Sequence, residues 1–256
     1  MSLNSVEPRR CWAKVEYDGT DFYGFQIQAR ERTVQGEIER ALEGITGVKT
    51  RVLGAGRTDR GVHARGQIVG FEVRWRHTLD ELHRALNAVL AADVAVLEMD
   101  LAPEGFHPRF SARRRMYRYT ILHRPWRSPL ERRSAWHVTQ KPDVDRMARA
   151  SRSLVGTHDF ATFGRPPQGE NTMRTVYRAK WKTCGSRFLF EIEANAFLYR
   201  MVRNIVGMLV QVGWGQVSAQ EFAVLLQARD RSLVKQVAPA HGLCLMRVDY
   251  AVREGV

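Results

Sequence analysis

The chain has 256 residues, 44% of them hydrophobic, enough to bury a sizeable core in one large domain or two modest ones. Its 40 Lys and Arg against 27 Asp and Glu leave a formal net charge of +13, a field that favours a polyanionic partner. Cys11, Cys184 and Cys244 stand far apart with no Cys or His at zinc spacing, and no apolar run reaches the roughly 18 residues of a membrane span, which argues against disulfide scaffold, zinc module and membrane protein alike.

In chain order, an extended segment is predicted near Cys11 to Tyr17, then a helix near Val34 to Ile45 with Val34, Ile38, Leu42 and Ile45 on one face. Strands follow near Arg51 to Leu53 and Gln67 to Val73. A second helix near Leu79 to Leu90 aligns Leu79, Leu82, Leu86 and Val89, and a strand near Val94 to Glu98 closes a βαββαβ unit. The second half is read as repeating that order. It has a strand near Arg113 to Leu122, a helix near Val144 to Leu154, strands near Thr175 to Lys182 and Phe188 to Glu193, and helices near Phe197 to Val212 and Ala219 to Gln227. A last strand, Leu243 to Tyr250, ends it. The expected fold class is α+β: two ferredoxin-like βαββαβ units, joined through antiparallel sheets that hide each other's edges, with a central basic active-site cleft. The junction with Pro103, Gly105 and Pro108 divides the chain into an N-terminal unit, 1–105, and a C-terminal unit, 106–256. Arg124 to Arg133 and Arg165 to Asn171 read as surface loops, and the opening MSLNSVEPRRCW has no long apolar stretch, so a cytoplasmic protein with reduced thiols is expected.

The stretch Gly54 to Gln67, GAGRTDRGVHARGQ, reads as a loop between two strands with four glycines. In it one acid, Asp59, sits among Arg57, Arg60 and Arg65, whose charge favours an ionised carboxylate ready to act as nucleophile or base. An Asp in such a setting more often caps a turn. The pattern is neither a P-loop nor a dinucleotide fingerprint. His63, His107, His158 and His241 lack metal-ligand spacing and are read as structural or RNA-contacting. Tyr117 and Arg203, taken alone, are a packed strand residue and a solvated helix residue.

GRTDRGVHARGQ resembles the catalytic loop of the TruA family of tRNA pseudouridine synthases. Further blocks in the same order are similar to that family: Phe106 to Ala112, Arg115 to Tyr119, Gly156 to Phe160, Thr172 to Val176, Asn195 to Gly207 and Ala238 to Leu245. The resemblance implies that Asp59 is the catalytic aspartate, that Arg57 holds the place of the flipped-out nucleotide, and that Tyr117 stacks on the target base. It implies further that Arg203 pairs with the carboxylate and that Leu245, with Leu243 as a rival, lies beneath the base. Arg60 and Pro108 depart from the residues common in the family. The implied activity is isomerisation of uridine to pseudouridine on the 3′ side of the anticodon stem-loop of tRNA, positions 38–40, by a homodimer.

That reaction breaks the C1′–N1 bond, turns the base and joins C5 to C1′, with no redox change and no outside atom. No cofactor or metal is expected, and the sequence leaves open whether the carboxylate attacks C1′, attacks the base or removes the 2′ proton. A non-catalytic RNA-binding protein or RNA chaperone is the rival reading. A glycosidase or nuclease lacks its paired carboxylates or metal cluster around Asp59.

Overall fold

In β1 (Arg9–Tyr17), Cys11, Ala13, Val15 and Tyr17 are buried while Arg10 and Glu16 are exposed, the period of two imposed on a strand with one face on a core. The computed structural model describes residues 7–251. After β1 come α1 (Val34–Thr46), β2 (Leu53–Gly54), β3 (His63–Val73), α2 (Leu79–Val89) and β4 (Val94–Leu101). Then follow β5 (Ala112–His123), β6 (Trp136–Val138), α3 (Val144–Ser151), β7 (Gly156–Asp159), β8 (Met173–Cys184), β9 (Arg187–Ala194), α4 (Met201–Gly213), α5 (Ala219–Gln227) and β10 (Leu243–Tyr250). These elements form two units, one drawn from Met1–Arg113 with Leu245–Val256, the other from Arg114–Cys244. The last strand thus groups mainly with the first unit, whereas a division by chain order at residue 105 puts it with the second half.

In the first unit β1 pairs antiparallel with β3 and with β4, β2 pairs antiparallel with β3, and β10 is the other neighbour of β3. Two helices supply the core facing this sheet. α1 starts at Thr33, whose hydroxyl accepts from Gly36 N–H at 3.3 Å, buries Ile38 and Leu42, and stops at Gly47 with φ +70°. α2 opens on a capping box, Thr78 with Glu81, and buries Leu82 and Leu86. Each such leucine contributes about 2 kcal/mol by leaving water. The βαββαβ order expected for the first half is the order found, with boundaries within a few residues except at β3, which begins four residues early.

In the second unit β9 pairs antiparallel with β5 and β8, β8 pairs antiparallel with β7, and β6 runs parallel to β5. The molecule is α+β as expected, and this unit repeats the strand, helix, strand, strand, helix order of the first in β5, α3, β8, β9 and α4. It adds the short strands β6 and β7, and α4 begins at Met201 instead of Phe197. The cause of the late start is visible: Arg200 takes φ +60°, and the turn before it is tied by Tyr199 N–H to Arg165 O at 2.9 Å and by Asn195 Oδ1 accepting from Thr175 and Ala196 N–H. α4 is buried on nearly every side, and Gly207 lets the chain at Gln236 pass so close that a Cβ there would stand 2.1 Å from Gln236 O.

Candidate active site

Asp59 sits in the segment between β2 and β3, and that segment is pinned on both sides of it. Ala55 N–H donates to Ile68 O at 2.8 Å, Phe25 N–H to Thr58 O at 3.1 Å, Val62 N–H to Asp59 O at 3.1 Å and Gly61 N–H to Phe22 O at 3.2 Å. Side chains add two contacts, one buried and one partly so. The hydroxyls of Tyr17 and Thr58 meet at 2.8 Å, and Gln67 Nε2 donates to Gly56 O at 2.7 Å. Gly61 takes φ +77°, a conformation open to glycine at little cost. Asp59 is half-buried while Arg57, Arg60 and Arg65 are exposed, and the Arg60 guanidinium lies 4.0 Å from the centre of the Tyr23 ring. A loop fixed this way can present one carboxylate with little freedom left to lose.

The support comes from residues 17–25, which sequence reasoning passed over. A Cβ on Gly19 would stand 2.0 Å from Val62 O, and one on Gly24 would stand 2.7 Å from Thr58 O at a φ of +99°. Both glycines therefore exist to let two backbones touch. Gly19 N–H points to His63 Nδ1 at 3.0 Å. Asp18 Oδ1, 3.1 Å from the same nitrogen, accepts from Thr20 N–H and Oγ1. The signal available in the sequence was the pair of glycines flanked by Tyr17, Phe22 and Phe25, all of which are buried.

One expectation is corrected here. The loop ends at Val62, and His63 to Gln67 are the first residues of β3. Gly66 serves no turn: a Cβ on it would fall 2.4 Å from Met246 O on β10, so it permits a close strand approach. Leu245, one residue before Met246, is fully buried.

Of the residues singled out from the sequence, Arg57, Asp59 and Leu245 belong to the first unit and Tyr117 and Arg203 to the second. Tyr117 is 7% exposed on β5, with its ring edge-on to Phe197 at 5.1 Å between centroids. Arg203, partly buried on α4, donates from Nε to Ala238 O at 2.8 Å and accepts Ala238 N–H on its own carbonyl at 3.1 Å. It is thus a fixed side chain. Beside it Tyr119 donates its hydroxyl to Pro239 O at 2.8 Å, and burial pushes its pKa well above the usual tyrosine value. Arg115 is 8% exposed and donates to Asn195 O at 2.7 Å. Among the described residues no three His, Cys, Asp or Glu side chains gather as they would around a metal ion, and no helix is long and apolar enough to cross a membrane.

Residues 13–111 and 150–251 match the family described as tRNA pseudouridine synthase. A tRNA pseudouridine synthase A from Roseiflexus castenholzii is 46% identical over 247 residues, covering 94% of this chain and 91% of the relative. One from Halalkalibacterium halodurans is 46% identical over 238 residues, covering 92% and 90%. A third, from Borrelia turicatae, is 37% identical over 243 residues, covering 94% and 99%.

Proposed function

Because the chain belongs to the tRNA pseudouridine synthase family, we propose that it isomerises uridine to pseudouridine in tRNA, with Asp59 as the catalytic carboxylate. The observation that carries this reading is a half-buried aspartate in a backbone held by hydrogen bonds at residues 55, 58, 59 and 61. Little reorganisation is then needed when the carboxylate meets the ribose or the base.

The target base must leave its stack, at a cost of a few kcal/mol, before its glycosidic bond can be reached. Arg57 holds the vacated place in the RNA and Tyr117 receives the base on its ring. Leu245 supports the base from beneath, and Arg203 fixes the orientation of the Asp59 carboxylate. Seating of Tyr117 against Phe197 and of Arg203 against Ala238 supports these roles, since side chains already ordered lose less entropy on contact. With Asp59 acting, the C1′–N1 bond breaks with its electron pair going to N1, the base turns, and C5 bonds to C1′; C5 loses its proton to solvent and N1 takes one up, so atoms and charge balance without a cofactor. Targets on the 3′ side of the anticodon stem-loop, a homodimer and a cytoplasmic location complete the proposal.

The test is tritium release from [5-³H]uridine-labelled tRNA by the wild type and by Asp59→Asn, with carbodiimide mapping of the product. Release by the wild type alone, mapped to the anticodon stem-loop, is expected. Retained release in Asp59→Asn defeats the catalytic assignment, and tight binding without any release favours the non-catalytic RNA-binding reading.

A further inference from the structure

The segment joining β5 to β6 carries a combination that neither packing nor the proposed chemistry uses. Trp126 is 83% exposed and Leu130 95%, and Arg124, Arg127, Arg132 and Arg133 are exposed in the same ten residues. Glu131, the one carboxylate among them, is engaged in an ion pair with Arg187. What remains outward is strongly positive. The segment is also held in shape: Ser128 is 9% exposed, Ala135 N–H donates to Glu131 O at 3.0 Å, Glu131 N–H donates to Ser128 O at 3.3 Å, and the His137 ring bonds to Arg124 O at 2.8 Å. Pro125 and Pro129 restrict it further.

Three occupants suit an exposed indole: a second copy of the chain, another protein, or an unpaired base. A two-fold contact sets one patch against its own copy, and this patch offers arginines without a free acid to answer them. Its charge is complementary to a phosphate backbone, and the indole face stacks on any base regardless of sequence. Bases inside a duplex hide their faces, so the base must lie in a loop or be unstacked. We infer that Trp126 stacks on an unpaired base of the tRNA other than the target uridine, with the surrounding arginines on the flanking phosphates. The inference rests on the proposed function and adds a positioning residue to it.

The experiment compares wild type, Trp126→Ala and Trp126→Phe by filter binding to unmodified tRNA transcript, by tritium release at saturating tRNA, and by sedimentation of the free protein. Trp126→Ala is expected to raise Kd about tenfold, with unchanged kcat and unchanged salt slope, and Trp126→Phe to recover most of the loss. Arg127→Gln is expected to weaken binding and reduce the salt slope by about one unit. An unaltered Kd in Trp126→Ala, or an equal loss in Trp126→Phe, overturns the stacking contact while wild-type turnover leaves the function standing. A change of oligomeric state in Trp126→Ala overturns it in favour of a second copy. Absence of both binding and release by the wild type instead overturns the function, and the inference with it.

Discussion

Tyr17 Oη and Thr58 Oγ1 lie 2.8 Å apart in the interior of the first unit, joining the end of β1 to the residue that precedes Asp59. Tyr17→Phe removes that bond without changing the ring, and leaves a buried threonine hydroxyl short of a partner. We expect a loss of about 1–2 kcal/mol in urea unfolding and a fall in kcat larger than any rise in Kd for tRNA. Wild-type kcat in Tyr17→Phe would mean that the strut does not position the loop.

Two glycine substitutions should move stability in opposite directions. Gly19→Ala forces a methyl to 2.0 Å from the Val62 carbonyl, and backbone cannot swing aside, so a destabilisation of several kcal/mol and loss of turnover are expected. Gly44→Ala lies in α1 with nothing within 4 Å, and should stabilise by about 0.5–1 kcal/mol. Thermal melts of the two proteins decide the matter.

Gly207→Ala places a methyl 2.1 Å from Gln236 O, on the stretch whose Ala238 holds Arg203. Both stability and kcat should drop, by about 2 kcal/mol and by about tenfold or more. If kcat holds while stability falls, the Arg203 to Ala238 contact is structural only.

Salt should weaken tRNA binding steeply. With a net charge of +13, a plot of log Kd against log salt should be linear with a slope of several units, since each phosphate contact releases counterions. A flat plot would contradict the electrostatic account of binding.

Cys11 is 1% exposed, and burial pushes its thiol from 9.0 up to about 11. The folded state therefore favours the protonated thiol: its contribution to stability is fully present below pH 9 and is lost as pH rises towards 11. Maleimide at neutral pH should modify the exposed Cys184 first and Cys11 only in denaturant. Rapid labelling of Cys11 in the folded protein would show that β1 opens readily.

Much of the first unit was legible because one-sided burial writes a period into the chain. Alternation from Cys11 to Tyr17 marked β1, and the spacing of Ile38 and Leu42 or Leu82 and Leu86 marked α1 and α2. The strands β6 and β7, three and four residues long, are too short to carry a period. Gly66 is expected in a loop because a sequence does not tell a glycine needed for φ from one needed for clearance; only Met246, 180 residues away, explains it. Arg203 looked solvated for the same reason, since its acceptor is a carbonyl at Ala238 that no side-chain pattern announces. The candidate loop was legible for a different cause. Asp59 and its neighbours are contiguous, whereas Gly19, Gly24 and Tyr17, which hold them, are distant in sequence.

The grouping of Leu245 onward with the first unit also sets an order of events during synthesis. The segment that carries Asp59 into β3 leaves the ribosome early, yet β10, the neighbour of β3, is made after all the other strands described. Until then Gly66 lacks the backbone it is shaped to meet, and one edge of β3 stands open. A nascent chain halted between Val73 and Leu243 holds every residue of the Asp59 loop and an unfinished sheet around it. Completion of the scaffold beneath Asp59 is thereby coupled to synthesis of β10.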